Sequence, residues 1–264
     1  MFEQLILGLI QGIAEWLPVS SEGLLVLIKT KFFSDQAMLC SSIQQALFLH
    51  LGTFFAALVY FFSDIKHLIK ALWNYKNEDK ETKKLLSFLI VATAISAVIG
   101  SGLLKMVFVY EAQLQIPGKI ISLIIGLFLL ITALVALRFH KEGKRNIVDL
   151  KIKDMLLLGL VQGLAVFPGV SRSGITVSSL LLRKFDKTAA LRLSFLMSLP
   201  IVFVGSILLN LDNFVFEPIF LVGVFSSFVF GLMTIHILLK LAQRINFGLF
   251  MMVFGFLAIL AAFI

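Results

Sequence analysis

Cysteine is almost absent from this 264-residue chain, in which Cys40 is the single example. One cysteine cannot form an intramolecular disulfide and provides no cysteine cluster for a metal ion. Charged residues are also scarce, at 14% of the chain, whereas 59% of the residues are hydrophobic and the mean hydropathy is +1.02. Soluble domains are typically about 45–50% apolar. These values exclude an ordinary soluble domain and indicate an integral membrane protein.

Acidic residues are outnumbered by basic ones, 15 against 23, which gives a net charge of +8. A basic chain can bind nucleic acid, but these lysines and arginines lie in short segments beside apolar runs. That arrangement is typical of the positive-inside rule for membrane proteins. We therefore expect no nucleic-acid partner. Because no polar linker divides the chain, we expect a single membrane domain over residues 1–264.

Six apolar stretches reach the roughly 20 residues that a membrane-spanning helix needs. They lie at about 43–62, 85–104, 119–138, 189–211, 219–239 and 247–264. Two further apolar stretches, 2–28 and 155–183, are interrupted by PVSSEG and PGVSRSG. Each side of the interruption has only about 9–16 residues, too few to cross a bilayer alone. We predict that these two stretches are re-entrant broken helices.

The distribution of basic residues predicts the orientation. Segments 63–84 and 138–153, together with Lys240 and Arg244, are rich in positive charge and are expected in the cytoplasm. Segment 212–218 has no basic residue and is expected outside. These assignments agree only if each broken helix returns to the side from which it entered. Both termini then lie outside, the first broken helix enters from outside, and the second enters from the cytoplasm.

The polar interruptions are two copies of one motif. QGIAEWLPVSSEG, residues 11–23, aligns without a gap with QGLAVFPGVSRSG, residues 162–174, at a constant offset of 151. We call these segments the first and second elbows. Three predicted spans separate them, and because three is odd the second copy is inverted. The predicted fold is all-α, with six transmembrane helices and two re-entrant broken helices in an inverted repeat whose halves are about 1–118 and 119–264.

The polar residues of the elbows suit an anion. Free N–H groups and the helix dipole favour negative charge where each second half-helix begins. The accompanying side chains match phosphate oxygens; they are Ser20, Ser21, Ser171, Arg172, Ser173 and Thr176. Glu15 repels a phosphate unless a divalent cation lies between them or the carboxylate acts as a base. Close helix packing explains the small residues, but it does not explain the intramembrane charges of Glu15 and Arg172.

These motifs resemble the two signature sequences of the undecaprenyl-pyrophosphate phosphatase family of the bacitracin-resistance type. LHLGTFFAALVYF at 49–61 and SFLMSLP at 194–200 are similar to further landmarks of that family. The resemblance implies a hydrolase of the cell membrane that converts a polyprenyl diphosphate to the monophosphate and inorganic phosphate at the outer face, aided by Mg²⁺ or Ca²⁺. Such an enzyme recycles the lipid carrier of envelope glycan synthesis. The protein has a homodimer as a further candidate assembly, which the resemblance leaves undecided.

The resemblance also implies roles for individual residues. Glu15, with Gln11 one turn earlier, would bind the cation or act as a base, Ser21 would be the nucleophile, and Arg172 would hold the diphosphate. The remaining substrate-binding residues would be Ser20, Ser171, Ser173, Gly174 and Thr176. Direct attack by water, with Ser21 only orienting it, stays an alternative to a phosphoserine. A transporter or flippase of polyprenyl phosphate is the alternative function, because inverted repeats with broken helices are typical of transporters.

This chain departs from the family pattern at three positions. Leu24 stands where the motif usually has a histidine, so a candidate proton carrier is lost. His50 stands where many relatives carry glutamine and is a candidate replacement, although a packing role is the alternative. Arg192 stands where glutamate is expected, and we expect its side chain to snorkel to the cytoplasmic end of its span.

Overall fold

The structure is a computed structural model that describes residues 1–32, 39–114, 118–138, 143–167, 169–208, 217–241, 247–261 and 263. Within these ranges it contains eleven α-helices, two short 3-10 helices and no β-sheet. The all-α prediction is confirmed. The helices are α1 Phe2–Ala14, α2 Ser21–Phe32, α3 Leu39–Tyr60, α4 Phe62–Trp73, α5 Lys80–Leu114, α6 Gly118–Arg138, α7 Ile152–Leu164, α8 Arg172–Leu182, α9 Lys187–Leu208, α10 Phe220–Leu241 and α11 Phe247–Ala261.

The six predicted spans correspond to α3, α5, α6, α9, α10 and α11. Three of these helices are long and apolar enough on their own to cross a membrane, at Lys80–Val107, Lys187–Ser206 and Phe220–Lys240. A fourth candidate joins α3 to α4 through a bend of 83°. The described apolar parts of α6 and α11 are shorter, at Lys119–Val135 and Met251–Leu260, and the two helices pack along each other. The chain is therefore a multi-pass membrane protein, and the crossing of the bilayer by α6 and α11 stays a prediction.

Helix α4 was not predicted, because its lysines mark the segment only as cytoplasmic. It buries Leu68 and Ala71 and exposes Trp73, as an amphipathic helix at a membrane surface does. Arg192 of α9 donates a hydrogen bond to Asp64 of α4 at 2.6 Å. Both side chains are partly exposed, and Asp64 belongs to the segment expected in the cytoplasm. The position of Arg192 near the cytoplasmic end of its span therefore stays a prediction, and the structure adds that its guanidinium is paired with a carboxylate.

The first helix of each broken pair, α1 or α7, packs on a long helix of the opposite half. Helix α1 lies along α10, and α7 lies along α5. Gly8 and Gly12 of α1, and Gly159 and Gly163 of α7, lie so close to these partners that an added Cβ would overlap them. The two glycine pairs are related by the same offset of 151. This reciprocal packing supports a two-fold relation between the halves, while the antiparallel superposition and the halves' boundaries stay predictions.

A cluster of ion pairs fixes the base of the second elbow. Asp154 in the first turn of α7 is fully buried and accepts hydrogen bonds from Arg145 and Arg183, each at 2.6 Å, and from the backbone N–H of Lys151 at 2.9 Å. The Arg145 guanidinium lies 4.3 Å from the centre of the Phe185 ring. The start of α7 and the end of α8 are thereby joined, which fixes the positions of the two helices of the second broken pair relative to each other.

Candidate active site

The tips of the two elbows contact each other. Ser20 Oγ accepts hydrogen bonds from the N–H of Gly23 at 3.3 Å and from the N–H of Gly169, in the second elbow, at 3.0 Å. Ser173 Oγ donates to the carbonyl of Leu17 at 2.8 Å. Ser20 has φ 58° and Gly169 has φ +101°, in the region that L-residues other than glycine rarely adopt. Glycine adopts such angles without steric cost, whereas Ser20 carries some backbone strain at the point where the tips meet.

The second half-helices begin with equivalent caps. Ser171 Oγ accepts from the N–H of Gly174 at 3.1 Å, as Ser20 Oγ accepts from that of Gly23. An N-cap serine satisfies an N–H group that the helix leaves unpaired. Ser20 and Ser171, expected to bind substrate, therefore carry structural hydrogen bonds even though both line the central cavity.

The carboxylate of Glu15 collects four donors from different elements. Oε2 accepts hydrogen bonds from Gln11 Nε2 and Ser21 Oγ, both at 2.8 Å, and lies 3.0 Å from His50 Nε2. Oε1 accepts from Nη2 of Arg172. The structure therefore brings together five residues from four helices and one turn. They are Gln11 on α1, Glu15 in the turn after α1, Ser21 on α2, His50 on α3 and Arg172 on α8. Glu15 is 5% exposed, so these contacts replace water around a buried charge.

Ser21 and Arg172 occupy equivalent positions, since each is the first residue of its half-helix and their numbers differ by 151. The first elbow contributes a hydroxyl there and the second contributes a guanidinium. Arg172 lies 11 residues, or about 16 Å, from Arg183 at the far end of α8. Half of a hydrocarbon core about 30 Å thick is close to that length. With Arg183 at the membrane surface, we expect the Ser21 hydroxyl, the Glu15 carboxylate and the Arg172 guanidinium to meet near mid-membrane depth.

A cavity of about 570 Å³ opens above this cluster. Most of the predicted site residues line it: Glu15, Ser20, Ser21, His50, Ser171, Arg172 and Ser173. Three do not. Gln11 lies behind Glu15, Gly174 faces Met251, and the hydroxyl of Thr176 donates to the Arg172 carbonyl at 2.7 Å and contacts Ser194 Oγ. Gly174 and Thr176 therefore support α8 from behind, and a direct contact with substrate stays a prediction for them.

Glu22 is a further cavity residue that motif reasoning missed. Its Oε1 lies 3.9 Å from His50 Nε2, and its side chain is 19% exposed. An acidic residue in the first turn of an intramembrane half-helix is itself a functional signal. It could have been noticed from the sequence on that ground.

His50 is held on both ring nitrogens. Nδ1 lies 2.6 Å from the carbonyl of Ala46, one turn earlier on α3, and Nε2 faces Glu15. These contacts orient the ring toward the carboxylate rather than toward apolar neighbours. His50 therefore belongs to the polar cluster, whereas Leu24, where the resemblance led us to expect a histidine, adds no polar group.

The oxygen atoms around Glu15 are suited to a hard divalent cation. Gln11 Oε1 is buried without a hydrogen-bond partner, and Glu15 and Glu22 supply two carboxylates. The described residues include no group of three or more His, Cys, Asp or Glu side chains that could hold a metal ion. Mg²⁺ is commonly bound by one or two carboxylates together with substrate phosphates rather than by the protein alone. The donor set fits that mode.

Comparisons with known proteins agree over nearly the whole chain. Residues 4–260 match the family model described as bacitracin resistance protein BacA. The undecaprenyl-diphosphatase of Methanococcoides burtonii is 40% identical over 266 residues, which cover 99% of this chain and 98% of that protein. The undecaprenyl-diphosphatases of Haloarcula marismortui and Desulforudis audaxviator are each 37% identical, with 97% and 94% of this chain and 94% and 92% of the relatives covered.

Proposed function

The chain belongs to the bacitracin resistance protein BacA family, and on that premise we propose that it is a membrane hydrolase that converts an undecaprenyl-type diphosphate to the monophosphate and inorganic phosphate. One observation carries the proposal most directly. Ser21 Oγ donates to Glu15 at 2.8 Å, with Arg172 on the other carboxylate oxygen, at the floor of a cavity. A hydroxyl paired with a base beside a cation is the usual arrangement for nucleophilic attack on an anionic substrate.

Substrate binding follows from the charges around the cavity. The prenyl tail stays in the bilayer while the diphosphate enters the cavity. The ion pair with Glu15 uses Nη2 of Arg172, and a guanidinium has five N–H donors. The remaining donors, with the N–H groups where α2 and α8 begin, stabilise the negative charge of the phosphate oxygens.

The chemical step is a displacement at the terminal phosphorus. Ser21 Oγ forms a bond to that phosphorus, its proton moves to Glu15 Oε2, and the bond to the bridging oxygen breaks. Polyprenyl monophosphate leaves with the bridging oxygen. Water then brings OH to the phosphorus of phosphoserine, its second proton goes to solvent, and Glu15 returns a proton to Ser21. The net products are polyprenyl monophosphate, inorganic phosphate and one proton.

Direct attack by water is the second version of this step. Ser21 then orients the water, and Glu15 takes the water proton. Rapid-quench labelling with substrate radiolabelled in the terminal phosphate distinguishes the two versions. Label bound covalently to Ser21 supports the phosphoserine, and complete absence of bound label supports direct attack.

The proposal includes a divalent cation, Mg²⁺ or Ca²⁺. Glu15 and Glu22, which line the cavity, are the residues that would hold it, and Gln11, behind Glu15, has a buried Oε1 without a hydrogen-bond partner as a further candidate ligand. When bound, the cation supplies positive charge to the phosphate oxygens. The proposal also places the protein in the cell membrane with the cavity facing outside, on the strength of the distribution of basic residues.

Release of phosphate from undecaprenyl diphosphate by the purified protein in detergent tests the proposal. We expect release with Mg²⁺ or Ca²⁺, loss of release with a chelator, and recovery when the cation is restored. The Glu15→Gln variant is the matched control, and its rate is expected to fall roughly 10²–10⁴-fold because the base is lost.

The alternative is a flippase of polyprenyl phosphate, which the broken helices and their contacting tips favour. Folded protein that releases no phosphate with any divalent cation overturns the hydrolase. Movement of polyprenyl phosphate between leaflets of proteoliposomes then makes the flippase the leading account.

A further inference from the structure

Two interfaces that the repeat makes equivalent differ in how closely they pack. Helix α3 packs closely on α10, where an added Cβ at Gly52 would overlap Val224 and Ser227. The counterparts of α3 and α10 in the reciprocal arrangement are α9 and α5. There, an added Cβ at Gly205 of α9 meets no described atom within 4 Å. The interface between α5 and α9 is therefore open where its counterpart is closed.

The cavity above Glu15 extends into this opening. Its walls between α5 and α9 are mostly apolar: Val98, Ser101, Leu104, Val202, Val204 and Gly205. Val98 is 75% exposed, so the wall is open at the side as well as along the cavity. An apolar opening at the side of a membrane protein leads into lipid. A polar floor joined to such an opening suits a molecule with an anionic head and a hydrocarbon tail.

Lys105 lies at the far end of the same cavity. It follows Lys80 by 25 residues on one continuous helix, or by about 37 Å. That distance exceeds the roughly 30 Å of a hydrocarbon core, which places Lys105 at the surface opposite the lysine-rich end of α5. Its side chain is exposed, and no ion pair of the described residues includes it. Of the described residues that line the cavity, one is a lysine, Lys105, and one is an arginine, Arg172.

We propose that the cleft between α5 and α9 is the lateral entrance for the polyprenyl diphosphate, and that Lys105 binds its diphosphate there before Arg172 does. The inference rests on the proposed function and names the route of its substrate. Arg172 is shared with Glu15 at the floor, so a basic side chain at the entrance adds positive charge that attracts the diphosphate before it reaches the floor. The prenyl tail occupies the apolar wall and leaves the cavity through the opening.

Lys105→Gln tests the charge. We expect kcat/KM for undecaprenyl diphosphate to fall roughly tenfold, mainly through KM, and the difference from wild type to shrink at high salt. Lys105→Arg is expected to restore most of the loss. Lys119→Gln is the matched control, because Lys119 is exposed on α6, contacts the Phe263 ring at 4.7 Å and does not line the cavity. Equal kcat/KM for Lys105→Gln and the control contradicts the inference.

Gly205→Phe tests the opening. An added Cβ at this position meets no described atom within 4 Å. We therefore expect the ring to enter the opening and block the tail, lowering kcat/KM at least roughly tenfold with an unchanged unfolding temperature. Gly102→Phe is the matched control, because Gly102 is a helical glycine of α5 with no described atom near its Cβ position and does not line the cavity. Equal rates for the two variants overturn the entrance.

Affinity for undecaprenyl diphosphate, measured with the same proteins, separates this inference from the proposed function. Wild-type protein that binds the lipid without releasing phosphate contradicts the hydrolase alone, and weaker binding by Gly205→Phe then still supports the entrance. Wild-type protein that releases phosphate, with Lys105→Gln and Gly205→Phe unchanged in affinity and rate, contradicts the entrance alone. Wild-type protein that does not bind the lipid contradicts both.

Discussion

Among single residues, we expect Arg172 to contribute most to the electrostatic stabilisation of the phosphate groups. It is paired with Glu15 inside a buried cluster, and it is the cation nearest to the proposed site of the phosphates. We expect Arg172→Ala to lower kcat roughly 10²–10³-fold, because a fixed positive charge is lost from a site of low dielectric constant. Arg172→Lys is expected to recover only part, since an ammonium cannot make the planar two-pronged contact. Phosphate release by folded variants measures both, and wild-type kcat for Arg172→Lys contradicts the role of the guanidinium.

Substitution of His50 tests whether this histidine takes part in catalysis or only contributes to packing. Because Nε2 lies 3.0 Å from Glu15, we expect His50→Gln to lower turnover roughly 10²-fold while the unfolding temperature stays the same. That result supports His50 in the role that Leu24 leaves empty. Near-normal turnover in the same phosphate-release assay identifies His50 as a packing residue and leaves proton transfer to Glu15 and water.

The repeated motif was enough to predict which polar residues would meet, but not what each would contact. Glu15, Ser21 and Arg172 come together as the two elbows predict. Ser20 and Ser171 look like phosphate ligands in sequence, yet both cap helices. Spacing along a chain gives the residues of a turn, whereas the direction of each hydroxyl depends on backbone angles such as the positive φ of Ser20.

Among the elements, the second elbow depends on the buried carboxylate of Asp154. Asp154→Asn leaves Arg145 and Arg183 without their shared negative partner, and breaking a buried pair costs roughly 3–5 kcal/mol. We expect a clearly lower unfolding temperature of the purified protein. Glu81→Gln, at an exposed position of α5, is the control and is expected to leave it unchanged. Equal unfolding temperatures for the two variants contradict the structural role of Asp154.

Helix existence could be predicted from apolar length, and helix contacts could not. Each of the six predicted spans contains a helix within the described residues, because about 20 apolar residues in lipid must satisfy their backbone hydrogen bonds internally. Helix α4 was missed because positive charge predicts the side of the membrane and says nothing of a surface helix. The pairing of α1 with α10 and of α7 with α5 depends on glycine contacts between distant segments, for which a single sequence provides no measure.

For the whole molecule, the orientation of the basic segments determines which side the cavity faces. Lys76 is exposed in the lysine-rich segment after α4, which we expect in the cytoplasm. A Lys76→Cys variant in a Cys40→Ala background is expected to resist an impermeant thiol reagent added to intact cells. It should react once the cells are opened. Labelling in intact cells reverses the orientation and places the entrance at Lys105 on the cytoplasmic side.

We infer that the two elbows form one catalytic centre in which Ser21 and Glu15 act together. The most direct measurement is the rate of phosphate release from undecaprenyl diphosphate by purified wild type, Ser21→Ala and Ser20→Ala. We expect Ser21→Ala to lose at least roughly 10³-fold in kcat, while Ser20→Ala, which removes a cap worth about 1 kcal/mol, keeps most of its turnover. Similar rates for Ser21→Ala and wild type, with both proteins folded, contradict the account.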